Sequence, residues 1–261
     1  MTAKILAVLG ATGTQGASVV DTFATTQGWS VRAITRNPSS PRARELQSRH
    51  PTVELVQADT TDANSLRRAF SGSAAIFAVT DYWAPFKDPR LREQHATGAD
   101  PADSLRRWAF DEEVKQGKNI ADAAADVLAS EGRLERFVWS SLPSPTKYSH
   151  GKYQHIYHFD SKAVIEGYVM DEHPELARRM NVIYIGFYAS NMLLSEMMRP
   201  IKVCHVTLSI QLFSATLQPM LTDSLPASFP TAHFSSNVSA TNARSTLSSS
   251  PAQTPAPSFV P

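Results

Sequence analysis

The stretch "KILAVLGATGTQG", Lys4 to Gly16, constrains this chain more than any other. A short apolar run that reads as a buried strand breaks at Gly10. An amphipathic segment follows from Thr14 to about Gln27, with Val19, Val20 and Phe23 on one face. Gly10, Gly13 and Gly16 at such a strand-to-helix junction suit a loop that holds a dinucleotide pyrophosphate. Gly10 permits the tight turn, Gly13 lets the backbone approach the phosphates, and Gly16 allows close packing of helix on strand. Thr12, Thr14 and Gln15 offer backbone N–H groups where the helix dipole favours an anion, and Ala11 completes the loop. A glycine-rich turn without a ligand is the plainer alternative, and the strand–loop–helix setting argues against it.

The alternation continues along the chain. "SVRAIT", "VELVQAD", "AAIFAVT", "ERFVWSS" and "MNVIYIGF" read as further strands with helical segments between them. Asp62 is placed to cap a helix running to Phe70, with Gly72 to stop it. A long helix is predicted from about Ser104 to Ser130, between Asp103 as cap and Gly132 as terminator. The charged, proline-containing stretch from Asp81 to Asp103 reads as a long loop, and Ala84 to Trp108 as an insertion beside the cofactor, a lid or only a solvated loop. Repeated βα units predict an α/β fold, a doubly wound parallel sheet with helices on both faces. Beyond about Cys204 the periodicity stops, and "SSNVSATNARSTLSSSPAQTPAPSFVP" is too polar to offset its ordering entropy. The expected division is a dinucleotide-binding domain over residues 1–202 and a divergent, disordered tail over 203–261.

Charge narrows the partners. Lys and Arg number 25 against 24 Asp and Glu, so no overall basic excess points to direct binding of nucleic acid. No apolar run is long enough to cross a bilayer, and the N-terminus lacks a signal-peptide core. The single cysteine, Cys204, excludes an internal disulfide framework and a cysteine-based zinc site. No metal site is expected, and a reducing compartment, cytoplasmic or nuclear, is.

Arg36 closes the second strand in "ITRNP". An acidic residue there suits the ribose 2′-hydroxyl of NAD, whereas an arginine suits the 2′-phosphate of NADP, so NADP(H) is the expected cofactor. A solvated surface arginine is the alternative. Asp59, after the third strand, can accept from the adenine amino group or serve only as a turn residue.

"GATGTQG", "ITRNP", "VTDYW", "EEVKQGKNIADAA", "HFDSKAVIE" and "GFYASNM", in that order from Lys4 to Met198, resemble the NmrA-like family. These are atypical short-chain dehydrogenases. The resemblance implies a Rossmann domain that binds NADP(H) in a family of transcriptional co-regulators and redox sensors, with isoflavone-reductase-like enzymes as neighbours. It implies that Thr80, Asp81 and Tyr82 pass the nicotinamide ribose and that Lys115 reaches toward the cofactor. As part of a plain amphipathic helix Lys115 would face solvent instead. Lys147 is a weaker candidate. Family members continue past the "GFYxxN" segment into a smaller C-terminal part, expected here to be missing or degraded, as an altered reading frame or truncation would leave it.

The catalytic candidates are Ser140, His158 and Lys162. Short-chain dehydrogenases carry a serine after the fifth strand, where Ser140 and Ser141 stand, and a tyrosine four residues before a lysine. Here the lysine is Lys162, and His158 replaces the tyrosine. Lys162 can hold the nicotinamide ribose without any chemistry. An imidazole titrates near neutrality but is shorter than a phenol, and a neighbouring ammonium disfavours its protonation. Tyr153 and Tyr157 lie nearby, yet Tyr157 is one position out of register and turned roughly 100° around the helix. Two functions are therefore open: an NADP(H)-binding redox regulator with a protein partner, or an NADPH-dependent reductase of a small carbonyl or enone substrate. A truncated product without function is a third, plainer reading.

Overall fold

Residues 3–194 are described by a computed structural model of the chain. The predicted domain boundary at 202/203, the tail, Cys204 and the expected loss of a C-terminal part lie outside the described residues. The elements run β1 (Lys4–Leu9), α1 (Thr14–Phe23), β2 (Trp29–Thr35), α2 (Pro41–Arg49), β3 (Glu54–Gln57), α3 (Ala63–Phe70) and β4 (Ser73–Ala78). They continue with α4 (Ala84–Lys87), α5 (Pro89–His95), α6 (Pro101–Glu131), β5 (Arg136–Ser141), α7 (Pro145–Tyr148), α8 (Tyr157–Glu172), α9 (Pro174–Ala177), β6 (Met180–Tyr184) and α10 (Asn191–Leu194).

The strands form one parallel sheet in the order β3-β2-β1-β4-β5-β6. This is the doubly wound Rossmann order, with its direction reversing between β1 and β4, where a crevice opens beyond the strand ends. Period-two alternation sorts the side chains between two cores. Leu6, Val8, Val31, Ala33 and Phe77 pack with α1 and α2. Ala7, Leu9, Ile34, Ile76, Phe137 and Trp139 pack with α3, α6, α8 and α9. Among the described residues, no helix is long and apolar enough to cross a membrane.

Several local expectations hold, and three need correction. Asp62 caps α3 through the backbone N–H groups of Asn64 and Ser65, and Gly132 ends α6 in the left-handed region. The first helix stops at Phe23 rather than Gln27, where the hydroxyls of Thr25 and Thr26 bond back to the Thr22 carbonyl. The long helix starts at Pro101, three residues before the expected start. Its cap is Asp100, which accepts from the Asp103 N–H at 2.9 Å, and proline is tolerated at a first helical position. The stretch from Asp81 to Asp103 is not one loop, because α4 and α5 interrupt it. Asp88 caps α5 through the Arg90 N–H, with Pro89 at its first position. Its prolines start helices instead of breaking them.

α6 and α8 cross closely at Gly117, where an added Cβ would lie 2.2–2.8 Å from three side-chain carbons of Ile165. Alanine favours a helix over glycine by about 1 kcal/mol, while overpacking a core costs about 1–3 kcal/mol. Gly117→Ala should therefore destabilise the protein by up to about 2 kcal/mol net. Urea denaturation checks it, and a stabilised variant would show that Ile165 relaxes freely.

Candidate dinucleotide site

Most of the residues singled out in the sequence follow the carboxyl ends of the strands; Lys115, exposed on α6, does not. Gly10 turns the chain at φ 75°, and an added Cβ on Gly16 would lie 2.2 Å from the Gly10 carbonyl oxygen. Gly13 is the N-cap of α1 and has no side chain to accept from the first-turn N–H groups. That first turn also holds no acidic residue. The N–H groups of a first turn have no partner within the helix, so this end suits a phosphate.

One groove borders the loop and another follows β2 and β3. The first, of about 260 Å³, is lined by Thr12, Gly13 and Thr14 together with Arg42 and Arg49 of α2. Arg49 is engaged by Asp21 at 2.6 Å. The other, about 300 Å³, is lined by Arg36, Gln57, Asp59 and Arg68, among others. Arg36 is exposed, and its carbonyl accepts from Gln57. Burial pushes the Asp59 carboxyl up, but hydrogen bonds from the Thr61 N–H and hydroxyl and the charge of Arg36 together hold it below the usual range. Arg42 and Arg68 were missed in the sequence. The signal for Arg42 was its place in the first turn of α2, where the helix dipole disfavours a cation.

Beyond β4, Thr80 is buried while Asp81 is exposed and accepts from the Trp83 N–H. Tyr82 is buried, and its hydroxyl donates to the Arg106 carbonyl at 3.0 Å. Lys115 is exposed on α6; the residue of "EEVKQGK" that turns inward is Glu113, 3% exposed. Lys147 is exposed on α7. The Lys162 ammonium donates to Glu113 Oε1 at 2.8 Å and to the Thr80 carbonyl and hydroxyl, each at 2.9 Å. The Thr80 hydroxyl donates to Glu113 Oε1 at 2.6 Å, and the Ser161 hydroxyl donates to Oε2. Glu113 escaped the sequence reading because it stands in a charged run.

His158 lies among aromatic rings, 4.9 Å from Trp83 and 5.7 Å from Tyr82 between centroids. Burial pushes its imidazole below its ordinary pKa. The Glu113 carboxylate opposes this and the Lys162 cation adds to it. Tyr157 points elsewhere, its hydroxyl donating to Asp103 at 3.2 Å, as its register implied. Tyr153 is exposed. The buried Ser140 hydroxyl donates to Gln15 Oε1 at 2.7 Å, while the Gln15 amide donates to the Tyr188 hydroxyl. Gln15 thus joins the loop, the end of β5 and the segment after β6. Ser141 donates to the Lys162 carbonyl at 3.3 Å.

These features match known proteins. NmrA, a negative transcriptional regulator solved in complex with NADP, is 26% identical with a TM-score of 0.53, over 73% of this chain and 48% of that one. NmrA solved in complex with NAD is 25% identical, also with a TM-score of 0.53. The NmrA-like family domain-containing oxidoreductase hkm9 of Aspergillus hancockii is 30% identical over 195 residues, 75% of this chain and 50% of that protein. The corresponding oxidoreductase ptmS of Penicillium ochrochloron is 34% identical over 64% of this chain and 42% of its own length. The chain therefore spans about half the length of the curated relatives it matches. The NmrA-like family matches residues 2–206, and with the Rossmann sheet and its glycine loop this places the chain in that family.

Proposed function

We propose that the chain binds NADP(H) and reports redox state to a protein partner, in the cytoplasm or nucleus, without turning the cofactor over. One observation carries this reading: the short-chain dehydrogenase positions are turned away from proton transfer, Ser140 and Lys162 by their hydrogen bonds and His158 by burial. Ser140 donates its only hydroxyl proton to Gln15, and Lys162 uses its three N–H groups on Thr80 and Glu113. Burial among Tyr82 and Trp83 pushes the imidazole of His158, in the tyrosine position, below its ordinary pKa. The loop, Arg36 and Arg42 remain as the ligands of a dinucleotide, and the NmrA complexes with NAD and NADP support binding of this cofactor class. Titration with NADP(H), followed by a panel of carbonyl and enone compounds with NADPH, tests the reading. Binding without consumption of NADPH is expected, and sustained substrate-dependent oxidation would overturn it.

The second reading, a reductase, is favoured by the fungal relatives being named oxidoreductases. A tyrosine at position 158 separates the two. Restoring the acid alone should not produce vigorous turnover, since Ser140 still faces Gln15 rather than a substrate carbonyl. His158→Tyr should stay within about tenfold of the background rate of NADPH oxidation, that is, within about 1.4 kcal/mol in barrier. A rise of several orders of magnitude would mean that only the acid was lacking.

A further inference from the structure

We propose that the loop from Leu142 to Ile156, between β5 and α8, is a docking surface for an acidic segment of a protein partner; this rests on the partner reading above. The loop holds two lysines, two histidines and two tyrosines, with no aspartate or glutamate. Lys147, His150, Lys152 and His155 are exposed, as are Tyr148 at 70% and Tyr153 at 53%. Tyrosine rings supply rigid contact area at little entropic cost, and the cations supply attraction for carboxylates. The Lys152 ammonium stands 5.3 Å from the Tyr153 ring centroid, so charge and ring form one patch. The carboxylate beside His155 is Asp103, and Arg107 already engages it at 2.6 Å. It leaves the charge of the loop in place.

The loop is built rather than slack. Asp160, buried in the first turn of α8, accepts from the Ser144 hydroxyl at 2.5 Å and the Thr146 hydroxyl at 2.7 Å. The Gly151 N–H donates to the Thr146 carbonyl at 2.8 Å, and the Tyr153 N–H to the Ser149 hydroxyl at 2.9 Å. His150 follows α7 at φ 52°, where glycine would adopt the turn without strain. A surface held in one shape gives up little entropy when a partner docks. Both ends of the loop border the proposed dinucleotide site. It leaves β5 beside Ser140, which donates to Gln15 of the glycine loop, and His158 stands two residues past its far end. A dinucleotide that shifts either end would shift the patch with it, the coupling that a reporter needs. A nucleic-acid backbone is a poorer match, because two lysines in a chain of balanced charge form no stripe along which phosphates could run.

Fluorescence anisotropy on the full chain tests this, with a labelled peptide alternating Glu and Leu, its Lys–Leu counterpart and a DNA duplex. Wild type should bind the Glu–Leu peptide about tenfold or more tighter than the Lys–Leu one. Lys147→Glu with Lys152→Glu should weaken it about tenfold or more, and Tyr148→Ser with Tyr153→Ser about fivefold. Since Lys147 is also a cofactor candidate, Lys152→Glu alone should still cost about threefold. Arg133→Glu with Arg136→Glu, exposed at the opposite end of β5, should stay within about threefold of wild type. Equal losses there, peptide binding unchanged by the loop reversals, or tighter binding of the duplex would each overturn the surface. Melting curves show which variants fold, and if the double reversal does not, Lys152→Glu and the tyrosine pair decide. Saturating NADP(H) should change the Glu–Leu affinity about threefold or more. Reversal-sensitive binding that NADP(H) leaves unaltered keeps the surface and ends the redox-reporting reading.

Discussion

Gly16→Ala is expected to abolish measurable dinucleotide binding and to lower the thermal midpoint by about 5–10 °C. The added methyl would lie 2.2 Å from the Gly10 carbonyl oxygen, 2.6 Å from its carbon and 2.8 Å from the Ala11 Cα. All three are backbone atoms of the glycine loop, so no side chain can swing aside. Either the loop moves off β1 or α1 tilts, and both displace the N–H groups meant for a phosphate. Gly13→Ala is the control, because its methyl would sit 3.3 Å from the same oxygen and its φ of −90° suits any residue. It should keep the fold and the melting midpoint, losing affinity only through the methyl set where the backbone approaches the phosphates. Calorimetric titration and a melting curve on both variants check the pair. Equal behaviour would mean that the loop is loose and that close packing at Gly16 is unimportant.

How much of this was legible depended on the range of the interaction. The strands were readable because period-two alternation is local: Leu6 and Val8 face one core, Ala7 and Leu9 the other. The orientation of Tyr157 was readable too, since one residue along a helix turns a side chain through roughly 100°. α4 and α5 were not legible, because a proline that suggests a loop equally serves in the first turn of a helix, as Pro85 does in α4 and Pro89 does after the capping Asp88 in α5. The pairing of Glu113 with Lys162 was hidden for a different reason. Glu113 sits in the charged run "DEEVKQGK", which reads as a solvated face, and its partner Lys162 is 49 residues away. The bridge from Gln15 to Tyr188 spans 173 residues. Such contacts exist only once β1, β4 and β5 lie side by side, and no local pattern announces them.

Arg36→Ala should weaken NADP(H) roughly ten- to a hundredfold while changing NAD(H) by less than about threefold. The guanidinium follows β2 beside a groove lined by Gln57, Asp59 and Arg68, the place proposed for the adenosine ribose of a dinucleotide held by the glycine loop. A planar fork of donors suits the oxygens of a 2′-phosphate, and a hydrogen bond to a charged group contributes about 1.5–3 kcal/mol. Exposure of Arg36 to water argues for the lower end of that range. No carboxylate closes β2 to engage a free 2′-hydroxyl, since "ITRNP" supplies only Arg36, Asn37 and uncharged neighbours. Arg36 already helps to hold Asp59 ionised, so its removal should also raise the Asp59 pKa, an effect shared by both cofactors. The difference between the cofactors therefore isolates the phosphate contact. Arg42, beside the glycine loop, should retain part of the attraction for NADP(H), and added salt should narrow the wild-type preference. Calorimetric titration of both cofactors against both proteins measures all of this. Equal wild-type affinities, or equal losses in the variant, would show that Arg36 faces solvent and reads no phosphate.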